Sequence, residues 1–162
     1  MTMQEAQQKP ITLLNAGKRD VRTQFAALCF RIIRGKTEVL LVTSRRTARW
    51  ILPKGWPMDG KTPAETVAIE AWEEAGVTGK VNPRCLGLFS YLKELDPEDD
   101  TFEESMLPCV VMVYALRVRA MSDDFPEAGQ RKRKWLRLKK AAEMVDEPEL
   151  AHLLRHFDPD AL

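Results

Sequence analysis

Three glutamates, Glu70, Glu73 and Glu74, fall inside five residues of the segment "ETVAIEAWEEAGV" (Glu65–Val77). On a helix, residues three and four apart are neighbours, so at about 100° per residue the three carboxylates share an arc of roughly 100°. Like charges this close destabilise a helix, and no lysine or arginine lies between Pro63 and Ala75 to relieve them. They also occupy the C-terminal half of the segment, where the helix dipole disfavours negative charge. The plain alternative is a solvated acidic face, which usually intersperses lysines. A divalent cation would supply the missing charge. Hard oxygen donors suit Mg²⁺ or Mn²⁺, which bind through a few carboxylates and leave positions for water and phosphate oxygens.

The elements that must position these groups are well marked. Thr62 as N-cap, Pro63 at the first helical position and Glu65 three residues after the cap form a capping box, and Gly76 ends the helix. Ala68, Ala71, Trp72 and Ala75 make an apolar stripe, so the carboxylate face is expected to point away from the core. The preceding "KGWPMDGKTP" reads as loop because of its glycines and prolines. Upstream, "QFAALCFRII" and "EVLLVTS" form a hairpin-like pair around "RGKT", and "WILP" a third short strand. Downstream, "KVNPRCLGLFSYL" reads as a strand or two, "LDPEDDTFEES" as an acidic loop and "LPCVVMVYALRVRAM" as a long buried strand. The turn "SDDFPEAGQ", a basic strand "RKRKWLRL" and helices in "KKAAEMVD" and "PELAHLLRHF" complete the chain. Without regular alternation of strand and helix, the pattern predicts an α+β fold with helices packed on a mixed sheet. Residues 1–22 read as a flexible arm and 23–162 as one domain.

The chain has 162 residues, 44% apolar and 30% charged, with a formal charge of +1, the balance of a soluble globular domain. That charge implies no general attraction to nucleic acid or membrane, so an anionic ligand must be held by local basic clusters. Cys29, Cys85 and Cys109 lack zinc-site spacing and read as reduced core thiols. With no export signal and no apolar run of the roughly 20 residues needed to span a bilayer, the expected location is cytoplasmic.

"GWPMDGKTPAETVAIEAWEEAGV" (Gly55–Val77) resembles the Nudix box, in which a glycine is followed by a glutamate and then by Arg-Glu-apolar-x-Glu-Glu-x-Gly-apolar. Gly55, Glu70, Ala71, Glu73, Glu74, Gly76 and Val77 match in register. The resemblance implies an α/β/α sandwich that hydrolyses a pyrophosphate bond with Mg²⁺ or Mn²⁺. It implies that Glu73 and Glu74 are metal ligands, that Glu70 is a ligand or the base that activates water, and that the carbonyl of Lys54 or Gly55 completes the metal site. Two positions depart: the loop glutamate is Lys61, and the arginine that braces the carboxylates in the family is Ile69. Either that support is rebuilt from other residues or activity is reduced.

"FAALCFR", "EVLLVTSRRTARWILPKG", "EEAGVTGKV" and "RKRKWLRLKKAAEMV" are similar to the diphosphoinositol polyphosphate phosphohydrolases, a branch that also cleaves diadenosine polyphosphates. The basic residues Arg45, Arg46, Arg49 and Lys54, with Arg131, Lys132 and Arg133, are the candidate phosphate contacts, Arg45 and Lys132 foremost. Strand alternation lets about half of each cluster face one ligand. Seven carboxylates in "ELDPEDDTFEES" argue against a densely phosphorylated inositol and for a dinucleoside polyphosphate; Glu98 or Glu103 could also add a base or ligand. Trp72 and Trp135 read as packing, Trp56 as a base-stacking or loop-anchoring residue, and His152 with His156 as part of a docked helix. The partner is thus a small-molecule polyphosphate, with no stable nucleic acid partner expected. Two other functions are compatible with the residues: an RNA 5′-pyrophosphohydrolase, and a Nudix-fold module that binds a phosphometabolite without turning it over.

Overall fold

The computed structural model describes residues 21–94 and 106–162. The expected arm, save its last two residues, and the whole of the acidic loop, with Glu98 and Glu103, lie outside the described residues. Strands β1 (Arg22–Ile33) and β2 (Lys36–Thr43) form the expected hairpin. Its two turn residues, Arg34 and Gly35, both have positive φ (52° and 75°), the conformation that matches strand twist in a two-residue connection. Short strands β3 (Trp50–Ile51) and β4 (Lys54–Gly55) lead to helix α1 (Pro63–Ala75). Then follow β5 (Val77–Glu94), β6 (Met106–Met121), β7 (Arg133–Arg137), α2 (Leu138–Met144), α3 (Pro148–His156) and a closing 3₁₀ turn, Pro159–Ala161.

The sheet runs β3-β2-β1-β6-β5, with β4 on β1 and β7 on β2. β1 and β6 are parallel while the other pairs are antiparallel, so the sheet is mixed. Period-two alternation along β1 sends Ala26, Leu28 and Phe30 to one face and Ala27 and Cys29 to the other. On the first face they meet Val39, Leu41 and the helical Ala141, Leu150, Leu153 and Leu154; on the second, Leu40, Val42 and Val67, Ala71 and Ala75 of α1. Helices therefore cover both faces, giving the α/β/α sandwich. No helix among the described residues is long and apolar enough to cross a membrane.

Two local expectations change. Lys54 and Gly55 are strand rather than loop: they pair with Ala26 and Phe25, while the Ala27 N–H donates to the Pro53 carbonyl at 2.9 Å. Backbone groups beside a sheet edge find partners there even in a Gly/Pro-rich stretch. β5, expected as a strand or two, is one strand bent by three register shifts between Thr78 and Gly87. The basic strand is shorter than expected, starting at Arg133, because Lys132 is tied to Thr43 through its own N–H and carbonyl.

Both ends of α1 follow the sequence. The Thr62 hydroxyl accepts from the Glu65 N–H at 3.1 Å while the Glu65 carboxylate accepts from the Thr62 N–H at 3.1 Å. Gly76 is left-handed (φ 68°) and bonds back to the carbonyls of Ala71 and Trp72. A Cβ at Gly76 would lie 2.4 Å from the Phe125 ring and 2.6 Å from the Ser122 carbonyl. Gly76→Ala therefore combines left-handed strain of about 1–2 kcal/mol with a clash. Its melting temperature should fall by several degrees in calorimetry; an unchanged melt would contradict this reading of the helix end.

Candidate active site

Helix α1 turns a different face to the sheet from the one its alanines suggest. The buried residues are Thr66, Val67, Glu70, Ala71, Glu74 and Ala75, so two glutamates lie on the packing face, and Trp72 is 37% exposed. The reason is local. The Glu74 Oε2 accepts from the Lys54 N–H at 3.1 Å, and its Oε1 lies 3.3 Å from the Arg131 guanidinium. Glu70 lies against Gly55, where a Cβ would come within 2.1 Å of its Oε1, so only glycine leaves room for this carboxylate. β4 thus supplies both a donor and a cradle. Glu73 is half-buried beside them, and its backbone carbonyl accepts from the Glu127 N–H at 3.0 Å.

Burial, then the charges of Glu74, Glu73 and Glu127, push the Glu70 carboxyl up to about 7. Burial also raises Glu74, against the lowering pull of Arg131 and Lys54. Burial lowers the Lys54 ammonium to about 8, partly opposed by Glu74. These carboxylates carry more negative charge than their surroundings balance, the condition a bound cation relieves. Among the described residues, however, no three acidic, histidine or cysteine side chains already converge at ligating distance.

The carboxylates open onto a cleft of about 930 Å³. Of the basic residues singled out in the sequence, Arg45, Arg46, Arg49, Lys54 and Arg131 line it; Lys132 and Arg133 do not. Lys132 is exposed outside the cleft, held there by its backbone bonds to Thr43. Arg133 points the other way and closes α1, donating to the carbonyls of Ala75 (3.0 Å) and Ser122 (2.8 Å) and pairing with Asp123 at 2.6 Å. A cation there answers the helix dipole that the acidic C-terminal half leaves uncompensated. Arg131 is 7% exposed and engaged by Glu74, Glu127 and the Thr43 carbonyl, which makes it part of the frame rather than a surface phosphate contact. Arg45, 59% exposed, leans on Glu127 at 3.2 Å.

The cleft also holds residues that the sequence pattern did not mark. Glu127 joins the carboxylate group from the turn between β6 and β7, and Asp146 and Glu147, between α2 and α3, hold Arg49 at 3.2 and 3.4 Å. Burial works against the Arg49 charge, but these two acids outweigh it and raise the guanidinium above its ordinary value. Single acidic residues in loops carry no periodicity, so only the fold reveals them. Trp56 is 40% exposed at the rim, beside Pro57, Met58 and Leu92, with the Lys93 ammonium 5.8 Å over its ring. Trp135 is half-buried beneath the Arg31 guanidinium (4.1 Å). His152 and His156 do not line the cleft; their helix docks through Leu150, Leu153 and Leu154.

A model of the NUDIX domain matches residues 22–157, and the chain belongs to the Nudix family. It is 33% identical over 122 residues to the mitochondrial Nudix hydrolase 12 of Arabidopsis thaliana, covering 75% of this chain and 59% of that one. It is 36% identical over 123 residues to the human diphosphoinositol polyphosphate phosphohydrolase 3-alpha, covering 74% of this chain and 66% of that one. The match thus spans about three fifths to two thirds of the length of these relatives. Among solved structures, a C. elegans Ap4A hydrolase superposes with a TM-score of 0.57 at 23% identity, over 85% of this chain and 96% of that one, a likeness of fold.

The charge on Glu70 has a consequence for stability. Its folded value of about 7 exceeds the ordinary 4.5, so its contribution to stability is present below pH 4.5 and lost as pH rises through 7, by at most about 3 kcal/mol. Without divalent cations, Glu70→Gln should be more stable than wild type to urea at pH 8, the gap closing at pH 5. Added Mn²⁺ should raise the wild-type melting temperature. Parallel stability profiles from pH 5 to 8 would contradict the assignment.

Proposed function

We propose that the chain is a divalent-metal-dependent pyrophosphohydrolase acting on a nucleoside polyphosphate, dinucleoside tetraphosphates above all. The observation that carries this reading is the set of three α1 carboxylates, Glu70 among them packed against Gly55 and raised to about 7, lining one cleft with Arg45, Arg46 and Lys54. The donor set fits a hard cation. Glu73 and Glu74 would hold Mg²⁺ or Mn²⁺, with Glu70 and the Gly55 carbonyl as further oxygen donors. Glu74 can do so while keeping its bonds to Lys54 and Arg131, since a carboxylate offers about four lone-pair sites. When bound, the ion would lower the pKa of a water and neutralise phosphate oxygens.

Lys54, Arg45 and Arg46 position the phosphate chain by charge and by guanidinium forks. Glu70, raised to about 7, suits the acceptance of a proton from the attacking water near neutral pH. As the water oxygen bonds to the attacked phosphorus and the bridging P–O bond breaks, Glu70 holds that proton and the second phosphate fragment departs with the bridging oxygen.

Two features favour a nucleoside over a fully phosphorylated inositol. Arg49, Arg45 and Arg131 are each offset by cleft carboxylates, which weakens the pull on a dense polyanion. The exposed indole of Trp56, flanked by Pro57 and Met58, offers a stacking surface that a base would use and an inositol ring would not. Glu73→Gln and Glu74→Gln should each lower kcat/KM for diadenosine tetraphosphate about 100-fold or more. Trp56→Ala should raise its KM about tenfold, the range of one stacked base. Wild-type turnover in both glutamine variants would overturn the catalytic assignment. Faster cleavage of a diphosphoinositol polyphosphate than of diadenosine tetraphosphate would overturn the substrate, and tight nucleotide binding without hydrolysis would make the chain a binding module.

A further inference from the structure

We infer that Arg131 is the positioning residue of the carboxylate site, doing from across the cleft what no residue of α1 can do. The inference rests on the proposed metal-binding reading of Glu70, Glu73 and Glu74. Helix α1, Pro63–Ala75, contains no basic residue, and Ile69, one turn before Glu73, is a half-buried hydrocarbon. The cation that balances its carboxylates must come from elsewhere in the fold.

Arg131 meets that need by burial, anchoring and contact. Its side chain is 7% exposed, against 59% for Arg45 in the same cleft, so it is poorly placed to receive an arriving phosphate. One terminal nitrogen donates to the Thr43 carbonyl at 2.9 Å, fixing the guanidinium to the end of β2. The flanking backbone is tied to the same residue, with Lys132 N–H to Thr43 Oγ1 at 2.9 Å and Thr43 N–H to the Lys132 carbonyl at 3.1 Å. The other terminal nitrogen lies 3.3 Å from Glu74 Oε1 and 3.4 Å from Glu127 Oε1.

A rigid sheet end thus reaches, through one side chain, a carboxylate of α1 and one of the turn between β6 and β7. Glu74 is held at both oxygens, by Arg131 and by the Lys54 N–H, which leaves its remaining lone pairs facing a defined direction. The buried Nε of Arg131 has no acceptor. An unpartnered buried donor is a cost, tolerated here because one terminal nitrogen is anchored at the Thr43 carbonyl and the other meets the two carboxylates. Positioning groups of this kind tune ligand direction and metal affinity without touching the metal.

The test uses Mn²⁺ itself, so that binding is read separately from turnover. Free Mn²⁺ in titrations of the full chain is followed by electron paramagnetic resonance for wild type, Arg131→Gln, Arg131→Lys and Ile69→Arg/Arg131→Gln, with a melt of each to show that it is folded. Arg131→Gln should weaken Mn²⁺ binding by about 10–100-fold. Its kcat for diadenosine tetraphosphate should fall while KM changes little. Arg131→Lys should recover part of the binding, and the double variant, which returns a guanidinium to the carboxylates from α1 itself, should recover part as well. Unaltered or tighter Mn²⁺ binding in Arg131→Gln would overturn the inference, as would a rise in KM with binding unchanged, the mark of a phosphate contact. Folded rescue variants that both bind like Arg131→Gln would overturn it too. A wild-type chain that binds Mn²⁺ and shows these shifts but hydrolyses no pyrophosphate would refute the proposed activity and leave the role of Arg131 standing.

Discussion

Two carboxylates on the packing face of a helix are the constraint around which the rest of the site is arranged. Glu70 and Glu74 are each more than nine-tenths removed from solvent. Burying ionised groups costs several kcal/mol apiece unless their charge and lone pairs are met. The fold meets them only in part: a backbone N–H from Lys54, a guanidinium from Arg131, and room at Gly55. The unmet remainder shows in Glu70, whose carboxyl is raised to about 7. A helix selected for stability alone would place apolar side chains there, as it does at Val67, Ala71 and Ala75.

That constraint divides the basic residues by task. Arg133 caps α1, whose own acidic C-terminal half cannot compensate its dipole. Arg131 is buried between helix and sheet, and Arg49 is clamped by Asp146 and Glu147. Arg45 and Lys54 face the cleft with their charge still available to a phosphate, although Glu127 shares the first. Seven similar residues in sequence are therefore not seven equivalent phosphate contacts. Their roles follow from what each one meets in the fold, a carboxylate for Arg45, Arg49 and Arg131 and helix-end carbonyls for Arg133.

The fold was legible where local chemistry decides it. Thr62, Pro63, Glu65 and Gly76 bracket α1 as their capping chemistry dictates, and the alternation of β1 places Ala26, Leu28 and Phe30 opposite Ala27 and Cys29. The rotation of α1 was not legible, because its alanines fit either of two adjacent stripes; contacts with β4 and Arg131 choose the one that buries Glu74 and leaves Trp72 outside. The pairing of Lys54–Gly55 with β1 was hidden by the glycines and prolines around it. The replacement for a helical arginine, absent at Ile69, lies 62 positions away at Arg131 and joins the site only through the sheet. Membership of the Nudix family was readable from the register of Gly55, Glu70, Glu73, Glu74 and Gly76, and the match over residues 22–157 agrees with it.

The central claim is that the buried carboxylate face of α1 is a cation site. Its most direct test is anomalous diffraction from crystals of the protein soaked in Mn²⁺. The account predicts a manganese peak within coordination distance of Glu70, Glu73 and Glu74 beside Gly55, with Arg131 still paired to Glu74. Manganese bound only elsewhere, with this face closed on itself as before, would contradict it.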